Sequence, residues 1–127
     1  MRQVIDTGLP ALKQPFSWAV KSAGIVFTAH GPVHADGRID TGPVEDQARL
    51  TFANLRRTLQ AAGGSLQDVA QVLVYLTDIG DMARVDAVYR EFFEAPYPNR
   101  SSVGVSALAV PGMRIEIVAY AVVAPAA

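Results

Sequence analysis

The segment Met113-Arg114-Ile115-Glu116-Ile117-Val118-Ala119-Tyr120-Ala121-Val122-Val123 decides the architecture, because it is the most apolar strand candidate of the chain and still carries a carboxylate. Alternation along a strand places Ile115 on one face and Glu116, with Val118, on the other. A carboxylate desolvated by apolar neighbours would have a raised pKa and could exchange protons near neutrality. The spacing alone favours a simpler arrangement, in which Glu116 pairs with Arg114 or occupies an exposed edge position.

A second charged residue lies upstream, in Pro98-Asn99-Arg100-Ser101-Ser102-Val103, where an arginine leads a β-type segment. Charge placed near a core must be paired or functional. The planar guanidinium of Arg100 would suit a bidentate clamp on a substrate carboxylate, although it could equally bond nearby carbonyls or an acidic side chain. A fixed guanidinium and one strand carboxylate would suffice to hold and hydrolyse a small carboxylated substrate.

The preceding chain predicts an α+β domain with the order β-β-β-α-β-α-β-β. Residues 16–20 and 25–29 predict a β-hairpin. A helix is expected from Gly42-Pro43, with the proline at its first position, to Gly63-Gly64, and residues 69–76 have the two apolar faces of a central strand.

A second helix is expected after Asp78 or Asp81, either of which can cap it, and Ala95-Pro96-Tyr97-Pro98 ends it. Strands at 101–105 and 113–123 complete the chain, and residues 124–127 are typical of a loose tail. Both helices are expected on one face of the sheet. Because the chain offers no third helix for the other face, oligomerisation is the natural way to cover it.

Composition excludes several classes of function. The length of 127 residues predicts one domain spanning 1–127, and a net charge of −1 counts against binding to nucleic acid. The absence of cysteine excludes disulfides, thiolate metal sites and a thiol nucleophile. No apolar run reaches membrane-spanning length, and the first residues lack the apolar core of a signal peptide, so we expect a soluble, cytoplasmic protein without membrane contact.

Motifs for metals and cofactors are also missing. His30 and His34 are four residues apart, but Gly31-Pro32 between them breaks the helical geometry that would bring them together, so no metal site is expected. The sequence contains no Gly-x-Ser-x-Gly elbow, no Gly-x-Gly-x-x-Gly and no P-loop. A serine-hydrolase triad and a nucleotide cofactor therefore have no support.

The order and spacing of several motifs resemble the RidA family (also called YjgF/YER057c/UK114), the reactive enamine/imine deaminases, over nearly the whole chain. The similar segments are Pro15-Phe16, 47–63, Asp68-Val69, Leu76-Thr77-Asp78, 85–93, 98–103 and Ile115-Glu116-Ile117. The resemblance implies a chorismate-mutase-like α+β fold, with a mixed six-stranded sheet and two helices on one face, assembled as a homotrimer with sites in clefts between subunits. It also implies cofactor-free hydrolysis of 2-aminoacrylate and related enamines or imines to 2-oxo acids and ammonia.

The resemblance further implies roles for individual residues. Arg100 would bind the substrate carboxylate, and Glu116 would deprotonate a water for attack and return the proton to the departing nitrogen. The implied substrate-binding residues are Phe16, Ala29, His30, Gly31, Asp86 and Ser102.

Several of these positions depart from the family's pattern. Phe16 replaces a tyrosine, Ala29-His30-Gly31 replaces a Ser-Gly-Gln turn, and Ser102 replaces a cysteine. Asp86 replaces an asparagine; near Arg100 it would suit a less anionic or amine-bearing substrate, and it could equally face solvent.

Two further functions are compatible with the resemblance. Phe16 and Ala29 favour a non-catalytic module that senses a small acid in the same cleft. The family is also associated with ribonuclease activity, but the near-zero charge and the lack of a basic stripe or an aromatic stacking platform argue against it here.

Overall fold

Strands and helices follow one another in the order that the sequence predicts, in a computed structural model that describes residues 1–124. The strands are β1 (Gln3–Val4), β2 (Ala19–Ser22), β3 (Ile25–His30), β4 (Val69–Leu76), β5 (Asn99–Gly104) and β6 (Ile115–Val122). The helices are α1 (Val44–Ala61) and α2 (Met82–Phe92), and short 3-10 turns at Leu66–Asp68 and Ile79–Asp81 precede β4 and α2. The α+β prediction is confirmed, while residues 125–127 of the predicted tail lie outside the described part.

The six strands form one mixed sheet in the order β1-β2-β3-β6-β4-β5. β5 runs parallel to β4, because the chain crosses over through α2 between them, and the other neighbouring strands are antiparallel. β6 lies between β3 and β4, so Glu116 is in the interior of the sheet. The alternative of an exposed edge position for Glu116 is therefore wrong.

Both helices pack on one face of the sheet, where they bury every second side chain of the central strands, most of them apolar. Phe52 of α1 lies at the centre of this layer, with its ring centroid 5.5 Å from that of Tyr89 and 6.1 Å from that of Phe93. The strand residues that face the helices are almost fully buried; they are Val26, Val72, Val74, Leu76, Ile115, Ile117, Ala119 and Ala121. Burial of each larger side chain contributes about 1.5–3 kcal/mol, which makes this face the main source of stability.

No helix of residues 1–124 covers the other face of the sheet. Phe27, Val103 and Val122 are exposed there, at 39%, 42% and 59% of their surfaces. The ring of Phe27 packs edge-to-face on that of Tyr120, with centroids 5.6 Å apart. This agrees with the expectation that the chain has no element of its own for this face.

Helix α1 ends as its glycines predict but begins slightly differently. Gly63 adopts a positive φ of 85°, and the amide of Gly64 donates to the carbonyl of Leu59, which closes the last turn. Pro43 is the N-cap residue, with φ −56° and ψ 148°, rather than the first helical residue. Its extended ψ places the proline one residue before the helical geometry starts.

β4 spans the predicted residues 69–76, whereas the starts of β2, β5 and β6 differ by two or three residues from the predictions. The hairpin begins at Ala19 rather than at residue 16, because Phe16 belongs to a turn closed on Gln14 and the indole of Trp18 donates to Pro10. β5 begins earlier, at Asn99.

Of the two candidate caps for the second helix, Asp78 caps the 3-10 turn by accepting from the amide of Gly80 at 2.9 Å. Asp81 occupies the N-cap position of α2 but makes no side-chain cap bond, because its carboxylate is engaged elsewhere.

Candidate functional site

The predicted site residues form two groups at two separate pockets, and the two charged ones, Arg100 and Glu116, lie on opposite faces of the sheet. Arg100 is paired in register with Val72, a buried residue of the helix-covered face. Glu116 is paired with Tyr75, which alternates with the buried Val74 and therefore lies on the uncovered face. Within one chain, the guanidinium and the carboxylate consequently do not share a pocket.

The first group lines a cavity of about 320 Å3, which we call the glutamate pocket. It contains Glu116 and four of the predicted substrate-binding residues, and its other walls are mostly apolar. The defining residues are Phe16, Trp18, Ala29, His30, Gly31, Val110, Met113 and Glu116. The sequence therefore predicted Glu116 and His30 of the polar lining but missed Gln14, Ser17 and Trp18, the last being the single tryptophan of the chain.

Glu116 is half-buried in this pocket, and burial raises the pKa of its carboxyl above the ordinary value. The alternative ion pair with Arg114 is wrong, because Arg114 donates to both oxygens of Asp81, at 2.9 and 2.8 Å. Because Arg114 is not paired with Glu116, no ion pair with Arg114 lowers the pKa of this carboxyl. A carboxyl in an apolar wall can therefore accept and return a proton at a pH closer to neutrality than an exposed glutamate can.

The buried side chains of Gln47 and Asp81 bond to the start of β6 and so position Glu116; we call these two residues the polar frame. The side chain of Gln47 is fully buried; its oxygen accepts from the amide of Arg114 at 2.8 Å, and its nitrogen donates to the carbonyls of Gly42 and Gly112. Asp81 is 2% exposed and pairs with Arg114. The sequence carried one overlooked signal, since a glutamine three residues after Val44 falls on the apolar face of α1.

His30, the last residue of β3, lines the same pocket. Its ring is 1% exposed and stacks on Trp18, with centroids 5.7 Å apart and planes 12° from parallel. Among residues 1–124, neither ring nitrogen has a hydrogen-bond partner. Burial lowers the pKa of His30 to about 3, so the imidazole is neutral at physiological pH.

The second histidine, His34, lies elsewhere and pairs with Asp40 at 3.3 Å. Within residues 1–124, no group of three potential metal-ligating side chains converges.

Gly31 lies close to Met113, so a side chain at position 31 would require the end of the Met113 side chain to shift. A Cβ there would lie 2.7 Å from the terminal methyl of Met113. The amide nitrogen of Asn54, a buried side chain of α1, donates to the carbonyls of Gly31 and Val33 at 3.2 and 2.9 Å. These contacts fix the segment between β3 and α1 against the glutamate pocket.

The second group surrounds a cavity of about 230 Å3, the arginine pocket, lined by Asp86, Tyr89, Arg90, Tyr97, Pro98 and Arg100. The Arg100 guanidinium donates from Nη2 to Asp86 Oδ1 at 2.5 Å and from Nε to Ser102 Oγ at 3.0 Å. Arg100 thus bonds an acidic side chain, one of the alternatives open from sequence, and Asp86 contacts it rather than extending alone into solvent.

Tyr89 and Met82 support Arg100 and were not predicted. The guanidinium carbon lies 4.7 Å from the ring centroid of Tyr89, and Nη2 also contacts the sulfur of Met82 at 3.3 Å. Tyr89 follows Asp86 by three residues on α2, so helical spacing places both on one face. That spacing was the signal available in the sequence.

Comparisons with known proteins agree on one family. The model described as Endoribonuclease L-PSP matches residues 8–123. The chain is 39% identical to the mitochondrial protein mmf2 of Schizosaccharomyces pombe, over 81% of this chain and 83% of that protein. It is 32% identical to 2-iminobutanoate/2-iminopropanoate deaminase of Dermatophagoides farinae, over 96% and 97% of the two chains.

The fold also matches solved structures. The crystal structure of Escherichia coli TdcF with bound serine superposes with a TM-score of 0.87 at 35% identity, covering 96% of this chain and 99% of that one. In the described residues, no helix is long and apolar enough to cross a membrane. With the family model matching nearly its whole length and relatives above 30% identity, the chain belongs to the RidA family of reactive-intermediate deaminases and L-PSP proteins.

Proposed function

We propose that this protein hydrolyses a small reactive enamine or imine, of the 2-aminoacrylate or 2-imino acid type, to a 2-oxo acid and ammonia. The observation that carries the proposal is Glu116, a half-buried carboxylate with a raised pKa in an apolar pocket. A group of this kind can accept a proton from water and later donate it. The deaminase name of the Dermatophagoides farinae relative supports the same reaction class.

The proposed reaction uses two charged groups and needs no cofactor, because an imine already carries the electrophilic carbon and an enamine acquires it by tautomerising to the imine. Arg100 binds the substrate carboxylate. Glu116 takes a proton from water as the water oxygen bonds to the imine carbon, and the resulting carbinolamine receives that proton on nitrogen. The carbon–nitrogen bond of the protonated carbinolamine then breaks, the hydroxyl proton passes to water, and a 2-oxo acid and ammonia are released.

Both groups can act on one substrate only if they come from different chains. Arg100 and Glu116 lie on opposite faces of the sheet, and the uncovered face carries exposed apolar side chains such as Phe27 and Val122. We therefore propose a homotrimer in which this face packs against neighbouring copies. Each cleft would combine the arginine pocket of one subunit with the glutamate pocket of the next.

The remaining parts of the proposal concern partners and compartment. The proposed partner is a small carboxylated ligand in the arginine pocket, and the serine bound to the similar TdcF is a small carboxylated molecule. The near-zero net charge supports a function without nucleic acid or membrane. We propose a cytoplasmic location, while a mitochondrial relative exists in fission yeast.

A non-catalytic sensor of small acids is the second candidate, and Phe16 is the observation that favours it. At the mouth of the glutamate pocket this residue offers an exposed phenyl ring instead of a hydroxyl. Such a pocket binds a ligand by apolar contact without adding a group to the reaction. Turnover is therefore the property that separates the two candidates.

The test measures ammonia release from imines that an amino-acid oxidase generates in situ. We expect the wild-type protein to accelerate release, and Glu116→Gln to lose about 100-fold or more of that acceleration, as removal of a general base does. Glu91→Gln is the matched control, because Glu91 is an exposed glutamate paired with Arg49. Tight binding of 2-oxo acids without any acceleration would instead favour the sensor.

A further inference from the structure

Arg100 is already neutralised inside its own chain. Its Nη2 donates to Asp86 at 2.5 Å, and both side chains remain partly accessible, at 22% and 31% of their surfaces. A ligand that enters the arginine pocket therefore meets an ion pair with no net charge instead of a free cation. A plain carboxylate gains little from such a pair, because attraction to Arg100 is offset by repulsion from Asp86.

The donors that remain on Arg100 determine where a carboxylate can bind. Asp86, Ser102 and Met82 occupy the hydrogens of Nη2 and Nε, and within the described part of the chain the two hydrogens of Nη1 have no acceptor. A ligand carboxylate on Nη1 would thus lie beside the Asp86 carboxylate on the same guanidinium. Two anions at that distance repel each other unless a cation lies between them.

We propose that Asp86 recognises a positively charged nitrogen next to the ligand carboxylate, so that the arginine pocket selects zwitterionic imino or amino acids over plain 2-oxo acids. This deepens the proposed function and rests on it for the identity of the substrate. In a 2-iminio acid the cationic nitrogen is bonded to the carbon that carries the carboxylate. It can therefore reach Asp86 when the carboxylate is on Arg100.

Tyr89 provides an independent indication that this pocket receives a polar ligand. The residue is 4% exposed and lines the pocket, and its hydroxyl has no hydrogen-bond partner among residues 1–124. A buried hydroxyl without a partner costs free energy that a ligand or bound water can recover. The pocket thus combines a cation, an anion and an unpaired hydroxyl within one small volume.

Selection for a cationic nitrogen also favours product release. Hydrolysis converts the zwitterionic iminio acid and one water into a 2-oxo acid anion and an ammonium ion, so atoms and charge balance. The product has lost the group that faced Asp86, and its carboxylate is again opposed by that anion. Asp86 would therefore weaken product binding without contacting the reacting carbon.

The experiment compares two stable ligands with the same carbon skeleton, 2-oxobutanoate and L-2-aminobutanoate, by isothermal titration calorimetry. In the wild type we expect the amino acid to bind about tenfold more tightly than the oxo acid, the size of one charge-assisted hydrogen bond. Asp86→Asn should remove or reverse the preference for the amino acid over the oxo acid. The same variant should be inhibited more strongly by 2-oxobutanoate during turnover. Glu91→Gln, which removes another arginine partner from the same helix, should leave the ratio unchanged.

The binding ratio is independent of catalysis, so the two proposals fail separately. A wild type that binds the oxo acid as tightly as the amino acid, or binds neither, overturns the role of Asp86 even if imine turnover is observed. An unchanged ratio in Asp86→Asn, with an unaltered thermal unfolding curve, overturns it as well. A shifted ratio in a protein without imine turnover supports the charge selection and removes only the deaminase function.

Discussion

The glutamate pocket and the arginine pocket place charge in opposite ways. Glu116 lines a mostly apolar pocket that also contains the neutral, buried His30, and burial raises the pKa of the Glu116 carboxyl. Arg100 is held by an ion pair, a hydroxyl and an aromatic ring in a partly open cleft. The first environment prepares a group to move a proton, and the second fixes a charge so that it can orient a ligand.

The largest expected effect tests whether the two pockets work together across chains. Arg100→Ala and Glu116→Gln should each lower turnover by about 100-fold or more, because each removes one of the two charged groups. If each cleft takes one pocket from each of two subunits, co-expressing the two variants in equal amounts should restore about one quarter of the wild-type activity. The measurement is ammonia release by the mixed oligomers.

Each variant purified alone is the control for this complementation, and mixing them after folding tests whether subunits exchange. Activity that stays at the level of the single variants in co-expressed oligomers would contradict the division of the site between chains.

The second prediction concerns the rigidity of the glutamate pocket. Gln47→Leu preserves volume but removes three hydrogen bonds, leaving the amide of Arg114 and two carbonyls without their partner. We expect a loss of about 3 kcal/mol in the free energy of unfolding. Urea unfolding at a fixed protein concentration measures it, since assembly makes stability depend on concentration.

Gln60→Leu is the matched control, because Gln60 is an exposed glutamine of the same helix as Gln47. It should change stability by less than about 1 kcal/mol. Equal losses for the two glutamines would show that the polar frame around Arg114 has no special role.

The third prediction uses the pH dependence of the buried imidazole. The pKa of His30 is lowered to about 3 in the folded protein, against 6.5 in its ordinary state. Below pH 6.5 the unfolded chain therefore binds more protons than the folded one, and stability falls as the pH falls from 6.5 toward 3. Between pH 7.5 and pH 5 this histidine should account for a loss of about 2 kcal/mol.

His30→Phe removes the titration and keeps an aromatic ring against Trp18. The raised pKa of Glu116 acts in the opposite direction, since stability is gained on acidification through its pKa, but it is present in both proteins and cancels in the difference. Denaturant unfolding at pH 7.5 and pH 5 gives the comparison. Parallel losses in wild type and variant would mean that His30 is protonated in the folded state.

The spacing of apolar residues and the positions of glycine and proline were enough to predict the helices and strands of this fold. The alternation around Ile115 predicted the buried and uncovered faces of β6, and Gly63-Gly64 predicted the end of α1. The separation of Arg100 from Glu116 by the sheet could not be predicted, because it depends on the parallel register of β5 on β4. Short-range spacing does not encode such long-range pairing.

The partners of individual charges were predictable only in part. Arg114 and Asp81 are distant in sequence, and nothing local indicates that they meet, whereas neighbouring Glu116 was the obvious partner and is not used. The burial of His30 likewise depends on Trp18, which lies in an irregular segment before β2. Sequence reasoning therefore identified the residue types of the site more reliably than their contacts.

The smallest expected effect concerns the ion pair of the arginine pocket. Asp86→Asn should lower the free energy of unfolding by less than about 1 kcal/mol, because partly exposed pairs gain little over solvated charges. The loss should shrink further between 0.05 and 0.5 M sodium chloride, as screening weakens what remains. Thermal or urea unfolding at the two salt concentrations measures it. A loss comparable to that of Gln47→Leu would make Asp86 a structural element, whereas a small loss shows that its charge is available for ligand recognition.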